Sequence, residues 1–321
     1  MESLWRRVAQ SPQLFESCAV ELFAFQAQRC EPYRRYLELI ECDPTAVKSV
    51  AQIPFMPIEL FKHCDVYCAE SAPEVVFTSS ATTGSVQSRH AMPSLSHYEQ
   101  VAVAAFELQF GALSELSIYA LLPGYLEREG SSLIYMVERF IDRSAGGGFF
   151  LRNHDELIKK LTQDDRPKLL LAVSYALLDL AERGELHLEN TIVMETGGMK
   201  GQRRELPKSE LHKTLRSALN VEKIASEYGM AELTSQAYSL GDGLFTTPPW
   251  MRVVIRDVNN PFAQLEAGSR GGINIVDLAS WHSCAFIQTQ DMGVVTPSGF
   301  RIEGRIDRSE IRGCNLLVDL P

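Results

Sequence analysis

Lys168-Leu169-Leu170-Leu171-Ala172-Val173, followed by helical spacing from Tyr175 to Arg183 and then by Thr191-Ile192-Val193-Met194-Glu195, is the stretch that decides the fold. Short, continuously apolar runs fit strands buried on both faces, and a helix between two of them is the crossover that parallel strands require. The alternation continues with a helix over Lys208 to Leu219 and a strand over Lys223 to Ser226. Towards the amino terminus it runs back through a helix over Asp155 to Leu161, a helix over Ser132 to Ile141 and a strand over Ser117 to Leu122. Beyond these lie a helix over Ser96 to Phe110 and a strand over Glu74 to Thr78. Ser96 and Glu99 have the spacing of a capping box. The repetition predicts an α/β fold, a mostly parallel sheet flanked by helices.

Outward from this core the pattern changes. Leu4 to about Ile40 carries apolar residues at helical spacing, with Pro12 and Pro32 marking starts or breaks. Ile53-Pro54-Phe55-Met56-Pro57-Ile58 holds two prolines too close together for a helix, so it reads as an extended segment, continued by Leu60-Phe61-Lys62. After Thr247-Pro248-Pro249-Trp250 come short β-rich runs over Met251 to Val258, Gly272 to Leu278, Ala285 to Thr289 and Phe300 to Glu303. The expected organisation is a helical lead and α/β core over residues 1–247 and a smaller β subdomain over 248–321 packed on it.

Composition narrows the function. With 321 residues, 45% hydrophobic and 22% charged, the chain has material for a full core. A net charge of -10 disfavours nucleic acid and anionic membrane as partners, because both repel such a protein unless a local basic patch intervenes. The start Met1-Glu2-Ser3-Leu4-Trp5-Arg6-Arg7 lacks the apolar core of a signal peptide, and the apolar stretch from Val101 to Leu122 is interrupted by Glu107, Gln109 and Glu115. The expectation is a cytoplasmic protein without membrane insertion. Seven cysteines, at 18, 30, 42, 64, 68, 284 and 314, suit reduced thiols better than a disulfide framework. His63-Cys64 with Cys68 has no matching second half, so incidental thiols explain it better than zinc.

Two segments carry chemistry. Ser79-Ser80-Ala81-Thr82-Thr83-Gly84 follows a strand and is dense in hydroxyls, a composition that turns N–H and O–H groups toward phosphate oxygens. Tyr228-Gly229-Met230-Ala231-Glu232 ends another strand; its Tyr offers a flat face to a purine and its Glu an oxygen ligand to Mg²⁺. Together they describe a site that handles ATP.

The same residues, taken in order, resemble the adenylate-forming enzymes. Ser80-Ala81-Thr82-Thr83-Gly84 is similar to their Ser-Gly-Thr-Thr-Gly phosphate loop, with Ala81 departing at the first Gly at some cost in backbone freedom. Ser96-His97 looks like the Thr/Ser-His that opens the next helix, and Gly197-Gly198-Met199 is similar to the paired glycines bordering the adenine pocket. Tyr228 to Glu232 resembles the Tyr-Gly-x-Thr/Ala-Glu signature. Asp291-Met292-Gly293, then Gly299 and Gly304-Arg305, resembles the downstream element whose Asp and Arg contact the ribose hydroxyls.

Within that superfamily, Ile53 to Lys62 resembles the signature of the LuxE-type acyl-protein synthetases. The resemblance implies an adenylate-forming core without the mobile C-terminal lid of the CoA ligases, since the chain stops soon after Gly304-Arg305, and hence without the Lys that such a lid carries. It implies ATP with Mg²⁺ on Glu232 as cofactors, a carboxylic, in this family fatty, acid as substrate, and an AMP-forming acid–thiol ligase as the activity. Cys314, in Arg308-Ser309-Glu310-Ile311-Arg312-Gly313-Cys314-Asn315, matches the position of the acyl-accepting thiol, from which an acyl reductase or acyl-carrier partner would take the group. A free thiol has a pKa of about 8.5, and Arg308 and Arg312 would favour its thiolate if close. Cys314 also reads as a packed residue opening Leu316-Leu317-Val318; the resemblance favours the nucleophile. Lys200, Arg203 and Arg204 either neutralise phosphates in place of the lid Lys or form a solvated face. His97 reads as a neighbour of the carboxylate pocket or as a structural residue. Tyr125, Ser131 and Ser132 read better as turn and cap residues than as acyl-pocket lining.

Two other readings use the same residues: an acyl- or aryl-CoA ligase-like enzyme with an external thiol, and a non-catalytic nucleotide-binding scaffold.

Overall fold

The structure, a computed structural model, describes residues 1–79, 86–123, 130–198, 203–204 and 206–306. The helical lead is formed by α1 (Leu4–Gln10), α2 (Phe15–Arg29) and α3 (Glu31–Leu39). Next come the short strand β1 (Met56–Pro57), the single turn α4 (Leu60–His63), and the hairpin β2 (Val75–Thr78) and β3 (Arg89–Met92). The alternating region comprises α5 (Leu95–Phe110), β4 (Ser117–Leu121), α6 (Ser132–Arg143), β5 (Gly146–Phe150) and α7 (His154–Gln163). It continues through β6 (Lys168–Val173), α8 (Ser174–Ala181), β7 (Thr191–Thr196), α9 (Lys208–Leu219) and β8 (Ile224–Tyr228). The remaining strands are β9 (Ala237–Ser239), β10 (Phe245–Thr246), β11 (Met251–Arg256), β12 (Arg270–Asp277), β13 (Phe286–Thr296) and β14 (Gly299–Arg305).

Among the described residues, all strands except the β2–β3 hairpin lie in one sheet. Its order is β11-β12-β13-β14-β10-β9-β8-β7-β6-β4-β5, with β1 added in parallel to β13. From β5 to β8 neighbours are parallel, and from β8 to β11 they are antiparallel. The sheet is therefore mixed rather than mostly parallel. The cause is connection length: helices separate β4 to β8, whereas β8–β9, β9–β10, β11–β12, β12–β13 and β13–β14 are neighbours joined by loops without a helix.

Helices α8 and α9 pack together against β6, β7 and β8, while α5 and α6 pack together against β4, β5 and β9. Strands β4 and β6 are buried along their whole length, which explains their unbroken apolar runs. The lead helices are fastened to the antiparallel part. Phe23, Tyr33 and Phe55 pack their rings on Phe286 of β13, and the buried amide of Gln26 bonds the Ser280 carbonyl (2.8 Å) and the Ala285 N–H (2.9 Å).

Three local expectations change. Helix α5 is capped by Ser94, whose hydroxyl accepts from the His97 N–H, and not by a Ser96–Glu99 box: Ser96 accepts from Gln100, and Glu99 pairs with Arg143. Leu60-Phe61-Lys62 coils into the turn α4 instead of extending, because Phe61 folds inward, fully buried, with its ring edge-on to His90 at 5.6 Å. Strand β5, Gly-Gly-Gly-Phe-Phe, carries no strand signal in sequence. One of its glycines serves close approach: at Gly147, with φ +118°, an added Cβ would lie 1.8 Å from the Ile118 carbonyl oxygen.

Candidate active site

Parallel strands β6, β7 and β8 end side by side at Ser174, Gly197 and Tyr228, next to the point where the sheet turns antiparallel. In open α/β sheets ligands settle in the crevice outside the carboxyl ends of the parallel strands. Gly197 leaves β7 with φ +68°, and its carbonyl accepts from Ser174 Oγ at 3.1 Å. Across from it, a Cβ on Gly229 would collide at 2.2 Å with Glu227 Oε1, whose carboxylate is held by Thr196 Oγ1 at 2.5 Å.

Tyr228 is almost fully enclosed, with the Phe245 and Phe300 rings edge-on to it at 6.0 and 5.6 Å. Its hydroxyl donates to Asp291 Oδ2 at 2.8 Å. Strand β13 pairs Asp291 with Arg305 of β14, placing Arg305 Nε 3.5 Å from Asp291 Oδ1. Residues distant in sequence therefore meet as Tyr228, Asp291 and Arg305. Burial raises the pKa of the Asp291 carboxyl, against the pull of Tyr228, Arg305 and Arg256, and burial beside Asp291 raises that of the Tyr228 phenol well above its ordinary value.

Glu232 lies in the turn after β8 and is only 7% exposed. Burial raises its pKa, while Ser88, its own backbone, Lys62 and Arg305 pull the other way. Ser88 belongs to the base of the β2–β3 hairpin. There Ser79 N donates to Ser88 O (3.1 Å), Ser88 N to Ser79 Oγ (2.9 Å) and Gln87 Nε2 to Ser79 O (3.0 Å). Ser80, Ala81, Thr82, Thr83 and Gly84 lie outside the described residues, as do Tyr125, Met199, Lys200, Arg308, Arg312 and Cys314.

The hairpin base is tied to the Glu232 turn by His90 of β3, whose Nδ1 is 2.8 Å from the Ala231 carbonyl and whose Nε2 is 2.9 Å from Ser283 Oγ. A carbonyl only accepts, so Nδ1 carries the proton and Nε2 accepts from the serine. Burial holds this imidazole at a pKa of about 4, neutral at physiological pH. Below the turn sits Asp277, fully buried, accepting from Thr234 N, Ser235 N, Ser235 Oγ, Ala279 N and Ser280 Oγ.

Other sequence candidates land elsewhere. Arg203 is engaged by Asp179 (3.0 Å) and Glu182 (2.7 Å). His97 is buried with Nε2 against the Ala279 carbonyl at 2.8 Å. Ser131 caps α6, and the Ser132 carbonyl accepts from Tyr98.

Glu195, at the end of β7 under Gly197, had no signal beyond closing an apolar strand. It is 1% exposed and bound by Ser226 Oγ (2.6 Å), Lys208 Nζ (2.8 Å) and Ser174 Oγ (3.0 Å), with His212 Nε2 at 3.6 Å. Burial alone would raise its pKa, but His212, Lys208 and Ser226 outweigh it and bring the pKa from 4.5 to about 2. An acid whose folded pKa is depressed stabilises the fold above its unfolded pKa and loses that contribution as pH falls through the folded one, here between 4.5 and about 2. Glu195→Gln is expected to remove up to about 3 kcal/mol at neutral pH and to flatten the acid limb of stability. Urea unfolding at pH 7 and pH 3 checks it: an equal loss at both pH values would contradict the linkage.

Solved structures share this fold. ATP-bound MatB from Rhodopseudomonas palustris superposes with TM-score 0.56 at 14% identity, covering 74% of this chain and 49% of that one. An open conformation of 2-hydroxyisobutyryl-CoA ligase in complex with 2-HIB-AMP and CoA gives 0.69 at 14% identity, covering 91% and 74%. The same ligase in its postadenylation state with 2-HIB-AMP gives 0.71 at 15% identity, covering 93% and 68%. The chain spans about half the length of the MatB structure. No family model and no curated protein sequence matches it. What the chain shares with these ligase structures is the α/β fold.

Proposed function

We propose that the protein uses ATP and Mg²⁺ to convert a carboxylic acid to its acyl-adenylate and then passes the acyl group to a thiol. The observation that carries this reading is the meeting of Tyr228, Asp291, Arg305 and Glu232 beside the anchored base of the Ser79 hairpin, at the carboxyl ends of β7 and β8. Solved structures of this fold hold ATP in one case and 2-HIB-AMP with CoA in another, which supports the same chemistry.

In this reading Asp291 and Arg305 take the ribose hydroxyls, Tyr228 with Gly197, Gly198 and Gly229 borders the adenine, and Ser79, Ser80, Thr82, Thr83 and Gly84 hold the phosphates. Lys200 adds positive charge there. Glu232 fits Mg²⁺: it is a buried oxygen donor at the hairpin base, and Mg²⁺ needs one or two carboxylates besides phosphate and water. The ion, when bound, supplies Lewis-acid charge stabilisation to the phosphates. A substrate carboxylate oxygen attacks the α-phosphorus, the bond to the β-phosphate bridging oxygen breaks, and pyrophosphate leaves. A thiolate then attacks the acyl carbon and expels AMP.

The acceptor is Cys314 in the LuxE-type reading, with an acyl reductase or carrier taking the acyl group onward in the cytoplasm. Among the described residues no helix is long and apolar enough to cross a membrane. CoA as external thiol is the second reading, favoured by the ligase structure that contains it. ATP–pyrophosphate exchange across fatty, aryl and amino acids tests the activation step; no exchange with any of them would overturn it. Radiolabelled acid then separates the acceptors. Hydroxylamine-labile label on the wild type and none on Cys314→Ser supports the first, and acyl-CoA made by Cys314→Ala supports the second.

A further inference from the structure

Arg256 is a buried cation that none of the roles above uses. It is 3% exposed, and its guanidinium donates to three neutral oxygens: Ile273 O (2.8 Å), Asn274 Oδ1 (2.9 Å) and Thr289 O (2.6 Å). The sheet makes room for it. Arg256 pairs with Gly272, where a Cβ would lie 2.5 Å from the guanidinium carbon, and the β12–β13 register shifts just beyond that glycine. The side chain therefore crosses under β12 to reach β13. Burial lowers its pKa to about 10, against the attraction of Glu59 and Asp291, so it remains charged at neutral pH.

Desolvating a guanidinium for three neutral acceptors is costly. A charge in that place needs electrostatic counterparts, and the two acids that attract it are Glu59 and Asp291. The link to Asp291 is also mechanical: Arg256 holds the Thr289 carbonyl, and Thr289 Oγ1 donates to Ile273 O at 2.8 Å and accepts from Asp291 N at 3.1 Å. Three groups face the Asp291 carboxylate or its surroundings: Tyr228 from β8, Arg305 from β14 and Arg256 from β11. Glu59, before α4, balances part of the Arg256 charge and accepts from Gln290. Arg305 is 75% exposed, against 16% for Asp291, so salt and water screen it; Arg256 is screened far less.

We propose that Arg256 is a positioning residue that fixes Asp291 on its strand and keeps its carboxylate ionised, ready to accept the vicinal hydroxyls of a ribose. The ligand side of this statement rests on the nucleotide reading of the site; the charge relation between Arg256 and Asp291 does not.

Calorimetric titration with ATP and with 2′,3′-dideoxy-ATP from pH 5 to 9 tests it on the wild type, Arg256→Gln and Arg256→Lys. Ionised Asp291 binds and protonated Asp291 does not, so losing the cation moves the acid limb upward. For Arg256→Gln we expect that limb to move to higher pH, with ATP binding weakened on the limb and unchanged on the alkaline plateau. Arg256→Lys should keep the wild-type limb, and dideoxy-ATP should show none. An unmoved limb in Arg256→Gln, or an equal shift in Arg256→Lys, overturns the proposal.

If the wild type binds no ATP at any pH, the nucleotide reading fails by itself. The ligand-free protein then answers for Arg256: the Asp291 carboxyl, followed by ¹³C NMR, should titrate higher in Arg256→Gln and not in Arg256→Lys, and equal values overturn the proposal. Should the neutral variant not fold, the wild-type carboxyl pKa at low and at about 1 M salt decides. A buried counter-charge leaves it unchanged, whereas a rise with salt assigns the effect to exposed Arg305 and overturns the role of Arg256.

Discussion

Glu232→Gln is expected to slow ATP–pyrophosphate exchange by about 10² to 10³, the loss typical when one preorganised electrostatic group is taken from a phosphoryl or acyl transition state. The fold should not suffer. Burial raises the Glu232 pKa, so the folded state disfavours its charged form at neutral pH, and a neutral amide of the same shape relieves that penalty. The expected result is separation: catalysis falls while the thermal midpoint holds or rises. Exchange kinetics and calorimetry on the same preparation check it. Unchanged exchange would take Glu232 out of the mechanism, and a drop in exchange accompanied by a large fall in midpoint would make it a structural acid.

Legibility in the sequence follows the physics of each element. Strand β6 and helix α9 fall where apolar periodicity puts them, because their burial pattern is the pattern itself. Strand β13 extends past Thr289 to Thr296, carrying Asp291 within a strand, since Gln288, Gln290 and Asp291 are only partly buried and break the apolar run. The motifs the sequence singles out are local: Tyr228 ends β8 and Glu232 lies in the turn after it, and Asp291 and Arg305 are cross-strand partners. What supports them is not. Glu195, His90, Asp277 and Arg256 gain their meaning from partners up to 193 positions away, as His90 does from Ser283, and a lone buried polar residue has no periodicity to reveal it.

Asp277 is where the largest stability loss is expected. Its Oδ2 accepts from Thr234 N (3.0 Å), Ser235 N (2.9 Å) and Ser280 Oγ (3.0 Å), and its Oδ1 from Ser235 Oγ (2.7 Å) and Ala279 N (3.1 Å). Asp277→Ala strands three backbone N–H groups in a site with no water access, and such donors together with the lost charge-assisted bonds amount to about 3–5 kcal/mol. Asp277→Asn separates the two sides of the carboxylate. Its oxygen can replace Oδ2, but its NH₂ then meets the Ala279 N–H, donor against donor, so the loss should be smaller yet clear. Urea midpoints give the order wild type, Asn, Ala; an Asn variant with the wild-type midpoint would show that the carboxylate charge is dispensable. Because Thr234 and Ser235 continue the turn that carries Glu232, and Ser235 Oγ also receives the Trp250 indole N–H at 2.9 Å, unfastening Asp277 frees that turn from the sheet. Asp277→Asn should therefore weaken pyrophosphate exchange as well as the fold, the opposite pairing to Glu232→Gln, and that contrast distinguishes a residue that holds the site from one that acts in it.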